Sequence, residues 1–122
     1  MGLDQSVMRI EVKPASPVDF KPEGEQSEVQ YWRKHPNLHG WMEHLYRLKG
    51  GSAESFNCVP VELTLEDIDS LEQAIRNGEL PQTSGFFFGQ STGDEADRDL
   101  QFCAEARKVL ADGGFLYYDS WW

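Results

Sequence analysis

The sequence predicts a single α/β (α+β) layered domain, about four short strands forming a sheet with three helices packed on it. Three observations carry that expectation. Stretches of period-two alternation take turns with stretches of helical 3.6-residue spacing, in the order strand, helix, strand, helix, strand, helix, strand. Gly and Pro clusters punctuate each change. The chain has 122 residues, the length of one domain (1–122), with neither an internal repeat nor a linker. Such a length buries enough apolar surface for a core without disulfide staples.

The first predicted strand runs from Leu3 to Val12. One phase of its alternation turns apolar from Met8 onward, through Ile10 and Val12. Residues 13–27 follow as a long loop, with Pro14, Pro17, Pro22 and Gly24 among charges and Phe20 to tack it down. Residues 28–49 are then expected to form one helix capped by Ser27. Tyr31, Leu38, Trp41, Leu45 and Leu48 share its apolar stripe, and Gly50-Gly51 ends it. Pro36 inside this stretch should kink or split it. Phe56 to Leu63 reads as a second strand, demoted toward an edge or bulge by Pro60.

Thr64 is a natural N-cap with Asp67 three residues on. The helix it starts buries Leu65, Ile68, Leu71 and Ile75, keeps Glu66, Asp69 and Glu72 wet, and stops at Asn77-Gly78. Three consecutive phenylalanines, Phe86 to Phe88, stand between Gly85 and Gly89 and are expected to be a strand buried on both faces. Asp94 to Ala111 reads as the last helix, burying Ala96, Leu100, Cys103, Ala106 and Leu110 with Phe102 and Val109 alongside. Asp94, Glu95 and Asp97 sit in its first turn, where the dipole favours negative charge. Phe115 to Trp121 is the terminal strand, with Trp121 expected to be more buried than Trp122.

Charge narrows the function classes. The net charge is −10. Residues 1–49 hold seven Lys/Arg and seven Asp/Glu, while residues 50–122 hold four and fourteen, so the whole excess lies in the second part. Direct binding to nucleic acid needs a basic footprint, which this distribution lacks. No apolar run approaches the roughly 20 residues that span a bilayer. The first residues lack the basic and apolar regions of a secretory signal. Cys58 and Cys103 are expected to be reduced thiols in apolar surroundings.

Motifs for chemistry are few. His35 and His39 are four apart and share a helix face, with Glu43 four further on, the spacing of a metal pair. A third ligand is unspecified, so ordinary helix histidines packed on aromatics are the preferred reading for His35, His39 and His44. Cys58 lacks the histidine and acid spacing of a thiol nucleophile. Gly85, Gly89 and Gly93 lack the lysine of a phosphate loop, because Gln90 precedes Ser91-Thr92. No cofactor is expected.

Several segments together resemble a family of small bacteriophage and prophage proteins. They are the Met-Gly-Leu-Asp start, Tyr31-Trp32-Arg33-Lys34, Asn37 with His39 and Trp41, Phe56-Asn57-Cys58, Gly85-Phe86-Phe87-Phe88-Gly89, and Tyr117-Tyr118 with Ser120-Trp121. The resemblance covers most of residues 1–12 and 28–122. Pro36 departs from it, since that position is helix-compatible in the family. The family carries no assigned activity. The label phosphoglycerate kinase borne by some members does not suit a chain without a triphosphate loop or a second lobe.

The resemblance and the charge imply a non-enzymatic phage or prophage accessory protein. It would bind another protein with a basic surface in the host cytoplasm. An attractive variant is an acidic inhibitor of a host defence complex that imitates nucleic acid. The expected contact residues are Trp32, Arg33, His39 and Trp41, with Glu66, Asp69, Glu72, Asp94 and Asp97 on the acidic helices. The competing expectation is a small enzyme or a ligand- or metal-binding protein built around Arg33, His39 and Glu43. A third is self-association through the C-terminal aromatics.

Overall fold

The computed structural model describes residues 2–85, 88–92 and 94–122. Alternating segments build one four-stranded sheet from β1 (Asp4–Ile10), β2 (Gln26–Arg33), β3 (Val61–Leu63) and β4 (Phe115–Trp121). The strand order is β2-β1-β4-β3, and every neighbouring pair is antiparallel. Three helices, α1 (Pro36–Leu48), α2 (Leu65–Arg76) and α3 (Ala96–Ala111), pack on one face of it. The α+β class is as predicted; among the described residues there are four strands and three helices, and one strand stands where a helix was expected.

That strand is β2. Residues 28–49 are not one helix but a strand and a helix joined at Lys34 and His35. Lys34 has a φ of 59°, and His35, with φ −109° and ψ 73°, is held out of the helical region by the proline that follows. Pro36 is therefore at the first position of α1, where its missing N–H would have had no partner anyway. Ser27 lies within β2 and caps nothing. With the helix starting late, its buried face turns. Leu38, His39, Met42 and Tyr46 go inward. Tyr31 is 41% exposed on β2 and Leu48 71% exposed at the helix end.

The second predicted strand shrinks to Val61–Leu63, because Cys58 has a φ of 61° and Pro60 donates no hydrogen bond. Cys58 is consequently exposed rather than core. The Thr64–Asp67 capping box forms as expected, and Ile68, Leu71 and Ile75 are buried. Leu65 is not: at the first helical position it points outward and is 52% exposed. In α3, Cys103, Ala106 and Phe102 are buried as predicted, whereas Ala96 is exposed and Leu100 and Leu110 are half-buried. Burial pushes the Cys103 thiol up to about 12. Asp99 was not anticipated in this core at all, yet it is 2% exposed. The Phe86 to Phe88 strand falls largely outside the described residues. Phe88 itself is irregular in backbone and buried against His39 and Trp122.

The sheet separates two apolar clusters. On the helix side Val7, Trp32, Val61, Leu63, Leu116 and Tyr118 meet the three helices. On the other side Ile10 and Tyr117 are covered by Phe20 from the loop between β1 and β2. The Phe20 and Tyr117 rings meet edge to face at 5.7 Å. The same loop covers the outer edge of β3 through a Val18–Val61 bridge, so that edge is not open for pairing. Trp121 and Trp122 reverse the expectation. Trp121 is 71% exposed, while Trp122 is half-buried with its indole N–H donating to the Phe56 carbonyl at 2.9 Å.

Candidate functional site

Trp32 and Arg33 are successive strand residues, so they leave opposite faces of the sheet. Trp32 enters the helix-side core, edge-on to Phe102 at 5.1 Å. Arg33 faces solvent and pairs with Asp4 at 3.0 Å. His39 is 1% exposed among the rings of Phe56, Phe88, Tyr118 and Trp122, with its Nδ1 2.8 Å from the Tyr118 hydroxyl. Burial pushes its pKa down to about 4, so the ring is a neutral core group and not a contact residue. Trp41 is half-buried beside an open groove that Glu43, His44, Arg47 and Glu79 also line. Glu43 pairs with Arg47 at 3.4 Å. Arg33, His39 and Glu43 therefore surround no common pocket. Among the described residues no group of His, Cys, Asp and Glu is arranged to hold a metal.

The predicted acidic residues do not gather either. Arg107, near the end of α3, reaches Asp69 at 2.8 Å and also pairs with Glu72, which pairs again with Arg76 at 2.8 Å. Arg107, then Arg76, hold the Glu72 carboxyl below its ordinary range. The start of α2 (Leu65) borders the end of α3 (Leu110, Ala111), and its end (Ile75) borders the start of α3 (Ala96), so the two helices run antiparallel. Glu66, at the start of α2, and Asp94 and Asp97, at the start of α3, then lie at opposite ends of the pair.

A different surface is assembled at the end of the sheet that the loop leaves bare. Register places Arg33, Asp4 and Trp121 in one row across β2, β1 and β4, and Tyr31, Ser6 and Asp119 in the next. All six leave the face away from the helices. The Tyr31 hydroxyl and Arg33 both donate to Asp4 Oδ1, at 2.5 and 3.0 Å. Tyr31 first, and Arg33 after it, keep the Asp4 carboxyl below the usual range. Burial raises the pKa of Asp119. The result is two exposed aromatics flanking a fixed arginine–carboxylate pair. The strand-favouring Val29, Tyr31 and Trp32 are the sequence signal for the strand that carries it, masked by the helical spacing that runs on through Tyr31.

A second constellation lies between the starts of α1 and α3. Both carboxylate oxygens of Asp99 accept hydrogen bonds, one from the Trp32 indole N–H at 2.9 Å and the other 2.8 Å from His35 Nε2. His35 Nδ1 is 2.7 Å from Ser91 Oγ, which also accepts the Asn37 N–H at 3.1 Å. Glu95 lies 3.6 Å from the same ring nitrogen. Gln5 holds the His35 backbone from both sides, accepting its N–H at 2.9 Å and donating to its carbonyl at 3.0 Å. Sequence reasoning had His35 as a helix residue and Ser91 as part of a failed phosphate loop. Nothing in linear spacing joins residues 35, 91 and 99.

No helix among the described residues is long and apolar enough to cross a membrane. Against known proteins, no family model matches this chain, no curated protein matches it, and no solved structure matches its fold.

Proposed function

We propose that this is an accessory protein of phage or prophage type that acts by binding another protein in the host cytoplasm. The observation that carries the reading is the bare end of the sheet, where Trp121 (71% exposed) and Tyr31 (41% exposed) flank Arg33. Tyr, Trp and Arg are the residue types that dominate binding energy at protein interfaces. The Arg33 guanidinium and the Tyr31 ring are already held by Asp4, so little side-chain freedom is left to lose on docking. With a net charge of −10, and Asp119 and Glu28 on the same face, the occupant that fits is a protein whose contact surface is net basic and offers an apolar recess for Trp121.

Imitation of a continuous phosphate backbone has less support, because Asp69 and Glu72 are spent on Arg107 and the remaining acids are dispersed. The test is capture from infected-host extract by the wild-type chain and by Trp121→Ala, compared across a salt series. Loss of a hot-spot tryptophan costs about 2 kcal/mol, roughly thirtyfold in affinity. The partner should leave the Trp121→Ala resin and weaken with salt. Capture that ignores the substitution sinks the proposed face. A mass shift from dimer to monomer on the same substitution, with no partner captured, replaces the heterologous partner by a second copy.

A further inference from the structure

We propose that Ser91, His35 and Asp99 form a nucleophilic site that takes up acyl or phosphonyl groups on Ser91. The donors and acceptors around them are compatible with these roles. Ser91 Oγ accepts the Asn37 N–H through one lone pair and can direct its own proton to His35 Nδ1. In that arrangement His35 carries its ring proton on Nε2 and donates it to Asp99. Asp99 accepts from Trp32 and lies 2.8 Å from His35 Nε2, with 2% of its surface exposed. This is the logic of a serine, a base and an acid that orients the base. The two ring nitrogens have exchanged places relative to the usual arrangement, in which the acid holds Nδ1. Either nitrogen of a neutral imidazole accepts a proton. Glu95 lies 3.6 Å from Nδ1 and places a second carboxyl group beside the path of the proton.

Ser91 is reachable. It is half-buried and lies at the junction of two depressions. One is a recess of about 220 Å³ that His35, Asp99, Glu95, Ile75 and Leu80 also line. The other is a cleft of about 630 Å³ lined by Asn37, Gln82, Thr83, Ser84, Gly89 and Gln90. The cleft offers hydroxyls and amides and no charged side chain among its lining residues, while the recess is acidic. Small uncharged polar esters fit this chemistry, and anionic substrates do not.

In the step itself, Ser91 Oγ bonds to the ester carbonyl carbon while its proton passes to His35 Nδ1. The carbon–oxygen bond to the leaving alcohol then breaks, and the alkoxide takes the proton back from His35. Water, deprotonated by the same nitrogen, releases the acyl group as a carboxylic acid.

An uncharged alkyl fluorophosphonate tests the first half of this. Oγ attacks phosphorus, fluoride leaves with its bonding pair, and the proton goes to His35. The full chain should acquire one phosphonyl group on Ser91 by peptide mapping. Ser91→Ala should acquire none, Ser70→Ala should react as wild type, and His35→Gln should react at least a hundredfold more slowly. Because His35→Gln also removes a buried hydrogen bond, the pH profile of the wild-type rate is measured beside it. It should rise through one titration and level off. No adduct, adducts spread over several serines, equal labelling of the denatured chain, or a rate rising with hydroxide without a plateau each overturn the proposal.

Discussion

His39 sits neutral between Tyr118 and three other aromatic rings, and acid acts against it. Its pKa falls from 6.5 to about 4 on burial. Above pH 6.5 both folded and unfolded chains hold it uncharged, and the fold carries no penalty. Below that pH the unfolded chain takes up a proton that the folded one refuses until about pH 4. Stability is thus lost progressively across that window, by roughly 3 kcal/mol in total. His39→Gln cannot take up the proton. Urea midpoints at pH 7 and pH 4 should differ less for the variant than for wild type by about that amount, and equal differences would rule out the buried neutral ring. Trp32 supplies the companion prediction on the hydrogen-bond side. Trp32→Phe keeps the ring packed on Phe102 but leaves one oxygen of buried Asp99 without its donor. The expected loss is about 1–3 kcal/mol in denaturant unfolding, well above that of a conservative aromatic exchange. That a helix histidine packs on aromatic rings was legible in the sequence, but not which histidine or which rings, and the burial of Asp99 was not legible at all. An aspartate in a helix looks wet until the sheet residue opposite it, Trp32, is known.

At the scale of elements, punctuation was legible and phase was not. Thr64 with Asp67, Asn77-Gly78 and Gly50 do what their local chemistry requires, because caps and turns depend on neighbours in the chain. The stretch from 28 to 49 misleads because Tyr31 falls by chance on the stripe of the helix that follows it. Only pairing with β1, a contact across 27 residues in the Tyr31–Asp4 case, decides for a strand. Pro36 distinguishes the two readings. A proline inside a helix costs about 3 kcal/mol, so its replacement by alanine would stabilise by that order. At the first helical position it is compatible, and Pro36→Ala should instead be neutral or destabilise by up to about 1 kcal/mol, through lost buried contact and a looser unfolded chain. Thermal unfolding of the variant reads the sign directly. The candidate contact surface follows from the same phase error. With Tyr31 on a strand, it stands two residues from Arg33 on one face and becomes part of the exposed patch, while Trp32 leaves it.

For the whole molecule, the sheet is a partition with a large core on one side and a small one on the other; the long loop adds Val18 to the large one and supplies the Phe20 ring of the small one. Phe20 is the loop's one large apolar anchor, 8% exposed against Tyr117 and Ile10. Backbone bonds from Asp19 to the Pro60 carbonyl at 3.2 Å and from Glu62 to the Pro17 carbonyl at 2.9 Å tie its middle to β3. The Tyr46 hydroxyl donates to Asp19 at 2.7 Å, linking the loop to α1 as well. Removing the ring by Phe20→Ala should cost about 3 kcal/mol, the low end for a buried phenylalanine, since water can enter a cluster at the surface. The loss should also be local. Amide exchange in residues 13–25 should accelerate far more than exchange in β1, β4 and α1, whose protection comes from the helix-side core. If all of these accelerate together, the loop is part of a single cooperative unit and the two-core partition is wrong. If the loop alone loosens, more of the outer sheet face becomes available beside Tyr31 and Trp121. Partner capture through that face should then persist in Phe20→Ala while the stability of the chain falls, which separates the surface that binds from the anchor that holds the fold.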